Sequence, residues 1–145
     1  MDDLLTLMNT IIHRSFPELL QETLSVEYES DLNCFLYYNY SKKEYHIGIN
    51  EILRGYTVEV IGGLVHELCH IVRDRYTGWF DDFLYNHYQP FRIMDERTTD
   101  LCVILRGYGP ELLAFERYAV KDDPDRKTDG LSLLELEILV PKQKI

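Results

Sequence analysis

The pentapeptide HELCH, residues 66–70, constrains this chain more than any other feature. Its two histidines, His66 and His70, are four residues apart, and Glu67 follows the first of them. On an α-helix, residues four apart lie about 40° apart around the axis and roughly 6 Å apart along it. Two imidazoles at that spacing can reach one tetrahedral metal ion, and zinc is the metal that the pattern favours. The stretch therefore predicts a helix that carries two metal ligands beside a carboxylate.

The residues around HELCH predict a buried amphipathic helix over about residues 57–75. Apolar side chains recur through it at helical spacing, namely Val58, Ile61, Val65, Leu68, Cys69 and Val72. The histidines and Glu67 fall beside this apolar stripe, where the helix would border a cleft. The alternative is a pair of hydrogen-bonded histidines on a core helix, and a second motif, described below, argues against it.

Length and composition restrict the classes of protein that the chain can belong to. Its 145 residues suffice for one domain. The formal net charge of −10 argues against a surface for nucleic acid or anionic membrane. No stretch approaches the ~18 apolar residues of a membrane span, and the first residues lack the basic-then-apolar order of a signal peptide. With three widely spaced cysteines, which fit a reducing compartment, we expect a soluble, cytoplasmic protein.

The pattern along the chain predicts an α+β fold. Residues 2–15 predict an amphipathic helix. Alternating side chains between residues 24 and 50 predict three strands, the last two joined in a hairpin at residues 41–43. Residues 78–90 are rich in aromatic side chains and predict a connecting loop, and residues 91–106 predict the next helix. We therefore expect a small three-stranded, mainly antiparallel sheet packed on the HELCH helix and on this second, acidic helix.

The last part of the chain predicts a further helix and a separate C-terminal segment. Pro110 begins the helix at its favoured first-turn position. Residues 122–130 are charged and contain Pro124 and Gly130, which is typical of a linker. The stretch LSLLELEILV, residues 131–140, is too apolar to hang free in solvent. Its alternation predicts a strand, with a short amphipathic helix as the alternative.

A catalytic zinc site needs a third protein ligand, and the sequence offers few candidates. One class of zinc enzymes continues the motif as HExxHxxGxxH. This chain has Arg73 and Tyr76 at the last two of those positions, so that class is excluded. His87 is a further imidazole, but no pattern around it supports a metal site. Glu96 is the remaining option.

Glu96 and Asp100 lie four residues apart, close to the apolar side of the acidic helix. Like charges at that spacing weaken a helix by roughly 0.2–0.5 kcal/mol, and burying carboxylates is costly unless a cation compensates. A metal provides that compensation, with Glu96 as a ligand and Asp100 as the acceptor for the distal N–H of a ligand histidine. The alternative is an exposed charged face with Arg92 and Arg97 as counter-ions. Together with HELCH, the metal interpretation is favoured.

The pair of motifs, HELCH followed by ERTTD, resembles the HExxH and ExxxD signature of the gluzincins, a clan of zinc metallopeptidases. The resemblance implies that Glu96 is the third zinc ligand and that Asp100 supports His66. In so short a chain, the order of elements is most similar to the minigluzincins, which are small soluble archaeal metallopeptidases. It further implies a minimal catalytic domain over residues 1–120, followed by a linker and C-terminal segment over residues 121–145.

The resemblance also implies a function, namely zinc-dependent hydrolysis of peptide bonds by an endopeptidase with one zinc ion per chain. Glu67 would be the general base. A peptide or protein substrate would lie against a strand at the edge of the sheet, for which Tyr45–Asn50 is the predicted strand. Gluzincins add a tyrosine or histidine that stabilises the oxyanion. The candidates here are Tyr85, His87, Tyr88, Tyr108 and Tyr118.

Alternatives stay open for the function and for the C-terminal segment. The chain can be a non-catalytic, zinc-stabilised binding or regulatory module, although the presence of Glu67 argues against this. It can also be a regulatory protease that cleaves one dedicated repressor. Residues 131–140 either cover the cleft, as the terminal segment of a minigluzincin zymogen does, or complete the core elsewhere, and the sequence favours neither.

Overall fold

A computed structural model describes residues 3–75 and 78–141, so Asp2 of the predicted first helix and residues 142–145 lie outside the described residues. The helices are α1 (Asp3–Ser15), α2 (Thr57–Asp74), α3 (Trp79–His87), α4 (Gln89–Val103), α5 (Gly109–Asp122) and α6 (Leu133–Leu139). The strands are β1 (Thr23–Glu29), β2 (Leu36–Ser41) and β3 (Glu44–Asn50). The predicted α+β class and the three-stranded sheet are confirmed.

The sheet has the order β1-β3-β2 and is mixed. β2 and β3 form the predicted antiparallel hairpin, in which Lys42 and Lys43 both have positive φ. That pair of conformations suits a two-residue turn whose twist matches the strands. β1 pairs with the other side of β3 in parallel, so the expected antiparallel pairing holds for only one of the two strand pairs. The chain reaches β2 before β3, and β3 then returns between its two predecessors.

The core lies between one face of the sheet and the helices. Tyr45, Ile47 and Ile49 of β3 are buried on this face. They join buried residues of α1 and α2 in one apolar cluster, among them Met8, Leu64 and Leu68. The alternating residues of the sheet point to the opposite, more exposed face, as the period of a strand requires. No described helix is long and apolar enough to cross a membrane.

α5 packs closely on the HELCH helix α2. A Cβ atom added at Gly62 would overlap the carbonyl oxygen of Glu111 at the start of α5. A Cβ at Gly63 would lie 2.5 Å from a methyl group of Leu36 in β2. The two glycines therefore let a helix backbone and an edge strand approach the turn that precedes His66.

Two predictions about local structure are wrong. Residues 79–87 form helix α3 rather than a loop, and Gly78 is its N-cap residue. Its apolar side chains do recur at helical spacing, but none of the α3 side chains is fully buried, and Trp79, Phe80 and Phe83 are exposed. Aromatic residues that stay at the surface are compatible with a loop as well as with a helix. The predicted end of the next helix also differs, because α4 passes into one π-helical turn, Ile104–Tyr108, before α5 begins. Gly107, with φ of 94°, provides the conformation that separates the two helices.

The C-terminal segment forms a short helix, α6, so the strand prediction is wrong and the alternative of a short helix is confirmed. The Ser132 hydroxyl accepts a hydrogen bond from the Glu135 N–H, and the Glu135 carboxylate accepts one from Ser132 N, in a capping box. Leu131, Leu136 and Val140 are buried. The segment therefore contributes apolar side chains to the interior of the protein.

Candidate metal centre

Helices α2 and α4 bring His66, His70 and Glu96 together, and we call these three residues the buried centre. The Nε2 atom of His66 lies 3.2 Å from Glu96 Oε1, and that of His70 lies 2.8 Å from Glu96 Oε2. All the potential ligand atoms lie within 4.8 Å of one another. Ligands of a tetrahedral zinc are about 3.4 Å apart when the bonds are about 2.05 Å long. The buried centre can therefore hold a metal ion with small movements of its side chains.

Asp100 orients His66. Its Oδ1 accepts a hydrogen bond from His66 Nδ1 at 2.7 Å, which turns the opposite ring nitrogen toward Glu96. The Asp100 Oδ2 accepts a hydrogen bond from the backbone N–H of Leu131 at 2.8 Å. The carboxylate is thus held from two sides, once by His66 of α2 and once by the C-terminal segment. This is the arrangement by which an outer carboxylate orients a ligand imidazole.

His70 is oriented by residues that the sequence analysis missed. Its Nδ1 lies 3.4 Å from the Thr99 hydroxyl and 3.6 Å from Asp95 Oδ2. Arg73 donates to the Thr99 hydroxyl oxygen at 2.6 Å and forms an ion pair with Asp95 at 2.9 Å. Asp95 and Thr99 each precede a predicted site residue by one position. Their four-residue spacing on an acidic helix was therefore a signal that could have found them.

The electrostatics of the buried centre follow from burial and from the close carboxylates. Burial alone would lower the pKa of His66, but its hydrogen bonds to Asp100 and Glu96 outweigh burial and hold that pKa well above its ordinary value. For Glu96, burial raises the pKa, whereas the hydrogen bonds from His66 and His70 dominate and lower it. Without metal the centre therefore favours a charged imidazolium paired with carboxylates, and a metal ion must displace a proton to bind.

Glu67 lies beside the buried centre and is 9 % exposed. Burial raises its pKa, and the adjacent His66 and His70 partly oppose that effect. Glu67 lines both a wide cleft and a narrow cavity that flank the centre. A carboxylate with a raised pKa that faces a cleft next to three potential ligands is placed to accept and return a proton.

The wide cleft has a volume of about 820 Å³ and gives access to the buried centre. Its walls come mainly from β2, α2, α3 and α4, and its lining residues include Tyr38, Tyr40, Asp74, Asp82, Tyr85 and Asn86. The prediction that Tyr45–Asn50 is the edge strand for a substrate is wrong, because these residues form β3, the central strand. Strand order is set by long-range pairing, and it leaves β2 as the edge strand beside the cleft.

Among the five predicted oxyanion-stabilising residues, the structure brings only Tyr85 to the buried centre. Its hydroxyl donates a hydrogen bond to Glu96 Oε2 at 2.5 Å, and burial followed by this bond raises its pKa. The other four lie elsewhere. His87 packs on Phe83, Tyr88 is exposed, Tyr108 bonds to Ser15, and Tyr118 lies against Tyr56.

The narrow cavity, with a volume of about 190 Å³, is also lined by Glu67. Arg126 and Thr128, from the segment before α6, form part of its wall. The described residues that line the wide cleft, by contrast, all fall between Leu36 and Glu96. The expectation that the C-terminal segment covers the cleft stays a prediction.

No protein-family model, curated protein or solved structure matches the chain. The resemblance of the two motifs to those of gluzincins therefore rests on the sequence and on the geometry of the buried centre.

Proposed function

We propose that this protein is a zinc-dependent metallopeptidase in which His66, His70 and Glu96 hold one zinc ion and Glu67 is the general base. The observation that carries the proposal is the position of Glu67. It is buried beside two imidazoles and a carboxylate, and it faces the cleft. A purely structural zinc site closes its coordination with protein ligands and has no need for a carboxylate at an open side.

The donor set fits zinc, because two imidazoles and one carboxylate are a known ligand set of catalytic zinc sites. When bound, zinc supplies Lewis acidity, which makes water a stronger acid near neutral pH and polarises a carbonyl group. Asp100 holds His66 at Nδ1 so that Nε2 faces the metal position. Thr99 and Asp95 do the same for His70.

Glu67 transfers the proton in this proposal. Its carboxylate takes a proton from the attacking water and gives it to the amine that leaves, and a pKa raised by burial suits both steps. Among the predicted donors, the Tyr85 hydroxyl is the one that reaches the buried centre, where it donates to Glu96. We assign it the role of stabilising the oxyanion, which makes it a catalytic residue of the proposal.

The substrate is a peptide in an extended conformation, which pairs with the outer edge of β2. This edge lies along the cleft, and Leu36, Tyr37, Tyr38 and Tyr40 line the cleft from the same strand. An edge strand offers unpaired backbone groups to an added strand. The cleft therefore presents a peptide backbone to the buried centre.

The test compares Glu67→Gln with Glu59→Gln, a matched change at a partly exposed position of the same helix. Both variants are loaded with zinc and assayed against a library of internally quenched peptides. We expect Glu67→Gln to keep its zinc and to lose about 10²–10⁴-fold in hydrolysis, while Glu59→Gln keeps full activity. Equal cleavage by the Glu67 variant and the parent protein would contradict the proposal. Cleavage by neither the parent nor the control would support a non-catalytic module.

A further inference from the structure

A second group of potential metal ligands lies on the exposed face of the sheet, away from the buried centre. We call Glu27, Glu29 and His46 the sheet cluster. Glu27 and Glu29 come from β1, and His46 comes from the neighbouring strand β3. Their potential ligand atoms all lie within 4.8 Å of one another. Because residues two apart on a strand share a face, the sheet itself brings the three side chains together.

The imidazole of His46 faces both carboxylates with one nitrogen. Its Nε2 atom lies 2.7 Å from Glu29 Oε2 and 3.6 Å from Glu27 Oε1. These distances bracket the separation of about 3.4 Å between the ligands of a tetrahedral zinc. A simple ion pair needs only one carboxylate, whereas here two converge on one nitrogen.

Neighbouring groups hold the cluster in this arrangement. His46 Nδ1 lies 2.8 Å from the hydroxyl oxygen of Ser25, which is its partner in the register of β1 and β3. The Tyr37 hydroxyl donates to both oxygens of Glu29 at 2.8 Å. An oxygen at the far nitrogen of a histidine and a donor on a carboxylate are the supports that orient metal ligands in proteins.

Gly48 makes room for these supports. It lies on β3 opposite both Glu27 and Tyr37. A Cβ atom at this position would overlap the Tyr37 ring and would lie 2.7 Å from Glu29 Oε2. The absence of a side chain therefore lets Tyr37 reach from β2 across the central strand to a carboxylate of β1.

We propose that the sheet cluster is a second metal site, which binds zinc or a similar divalent transition metal through His46, Glu27 and Glu29. One imidazole and two carboxylates suit zinc and also cobalt, nickel and manganese. The ion joins β1 to β3, the parallel pair of the sheet, and water completes its coordination. Glu27 is largely exposed, so the site is open to solvent and binds more weakly than the buried centre.

The experiment counts metal ions in the full-length protein. The protein is stripped of metal and titrated with Zn²⁺ in equilibrium dialysis, both as the parent chain and as His66→Gln, which disables the buried centre. We expect two equivalents for the parent and one for His66→Gln. Adding His46→Gln to the His66→Gln chain removes the remaining equivalent, whereas His13→Gln, at an exposed position of α1, leaves it unchanged.

A second variant and a second readout protect the test against a folding defect. Glu27→Gln, at the most exposed ligand, should keep the fold and weaken this equivalent by about tenfold or more. In spectra of the protein labelled with ¹⁵N, Zn²⁺ added to His66→Gln should shift the His46 ring and β1 signals. The proposal is overturned if His66→Gln binds no zinc, or if its zinc is unaffected by the His46 and Glu27 changes. Zinc binding by His66→Gln supports the second site only. The proposed peptidase activity is tested separately, by the Glu67→Gln assay.

Discussion

The buried centre and the sheet cluster combine the same two ligand types in opposite proportions. The buried centre has two imidazoles and one carboxylate on helices, and the sheet cluster has one imidazole and two carboxylates on strands. Each has a histidine whose Nδ1 is held by a side-chain oxygen, Asp100 at 2.7 Å in one and Ser25 at 2.8 Å in the other. Each also has a glycine that leaves space for a supporting side chain, Gly130 beside Asp100 and Gly48 beside Tyr37.

The two clusters differ in burial and in what lies next to them. The side chain of Glu96 is 16 % exposed, whereas that of Glu27 in the sheet cluster is 64 % exposed. The buried centre also has Glu67 and a cleft beside it. Similar ligands can thus arise from helical or strand periodicity, but burial decides how strongly their charges interact. Among the described residues, only the buried centre combines potential metal ligands, a nearby carboxylate and an adjacent wide cleft.

Removal of the C-terminal segment should produce the largest difference in metal binding between the two clusters. Leu131, Leu136 and Val140 are buried, and burial of each such side chain contributes about 1.5–3 kcal/mol. Removing residues 124–145 should therefore lower the free energy of unfolding by about 5 kcal/mol. It also removes the Leu131 N–H that holds Asp100, so metal binding at the buried centre should weaken more than binding at the sheet cluster.

Urea unfolding and zinc titration of the truncated chain check this prediction. The parent chain and a chain ending after residue 141 are the controls. A truncated protein that is folded, binds zinc like the parent and cleaves peptides faster would contradict it. That outcome would instead support the prediction that the segment inhibits the enzyme.

Substitution of the side chains whose oxygens hold the two histidines tests how much burial strengthens metal binding at each cluster. Asp100→Asn presents an amide to His66 Nδ1 and should weaken zinc binding at the buried centre by about 10–100-fold. Ser25→Ala removes the corresponding support of His46, in a more solvated position, and should have a smaller effect on the sheet cluster. Competition against a zinc chelator measures both. Equal losses at the two clusters would show that burial does not strengthen the outer support.

Protons should compete with metal at the buried centre from a higher pH than at an ordinary histidine. The pKa of His66 is raised, so its ring still carries a proton at a pH where an ordinary histidine has lost it. Zinc affinity at the buried centre should therefore fall as the pH is lowered, by about tenfold per pH unit for each proton displaced. The fall should begin at a higher pH than an ordinary imidazole would give.

Asp100→Asn is the control for the pH dependence, because it removes the first of the hydrogen bonds that raise the pKa of His66. Its zinc affinity should level off at a lower pH than that of the parent protein. Chelator competition between about pH 6 and pH 9, a range that extends well above the ordinary histidine pKa, tests this. Parallel curves for the two proteins would contradict the role given to Asp100.

Substitutions at Gly130 and Gly48 should have the smallest effects on metal binding. A Cβ at Gly130 would overlap Asp100 Oδ2, and a Cβ at Gly48 would overlap the Tyr37 ring. Gly130→Ala should weaken metal at the buried centre, Gly48→Ala should weaken metal at the sheet cluster, and each should lower stability by about 1–3 kcal/mol. Gly78→Ala, whose Cβ meets no neighbour, is the control for thermal unfolding and zinc titration. A change at one glycine that weakens both clusters alike would contradict their independence.

The parts of the account that depend on local spacing could be predicted from the sequence. HELCH and ERTTD each place their polar residues four apart on a helix, so the grouping of His66, Glu96 and Asp100 followed once the two helices were assumed to pack together. The alternation of β1, β2 and β3 likewise follows from the two-residue period of strands.

The parts that depend on long-range packing could not be predicted in this way. The central position of β3 is a matter of pairing order, and it reversed the choice of the strand for a substrate. α3 is a short helix between Gly78 and Pro90 whose aromatic side chains stay largely exposed, so its sequence is compatible with a loop as well as with a helix. The choice of Tyr85 depends on its hydrogen bond to Glu96 of α4. The bond from Leu131 to Asp100 joins residues 31 apart in the chain. No spacing rule in either segment indicates that bond.

The most direct test of the central claim is anomalous diffraction at the zinc absorption edge from crystals of the zinc-loaded protein. The account predicts a strong peak within about 2.0–2.2 Å of His66 Nε2, His70 Nε2 and a Glu96 oxygen. That peak should be absent from crystals of the Glu96→Ala variant and present in Glu67→Gln. Zinc-loaded crystals with no peak at this position, or with an unchanged peak in Glu96→Ala, would contradict the assignment of these three residues as the metal centre.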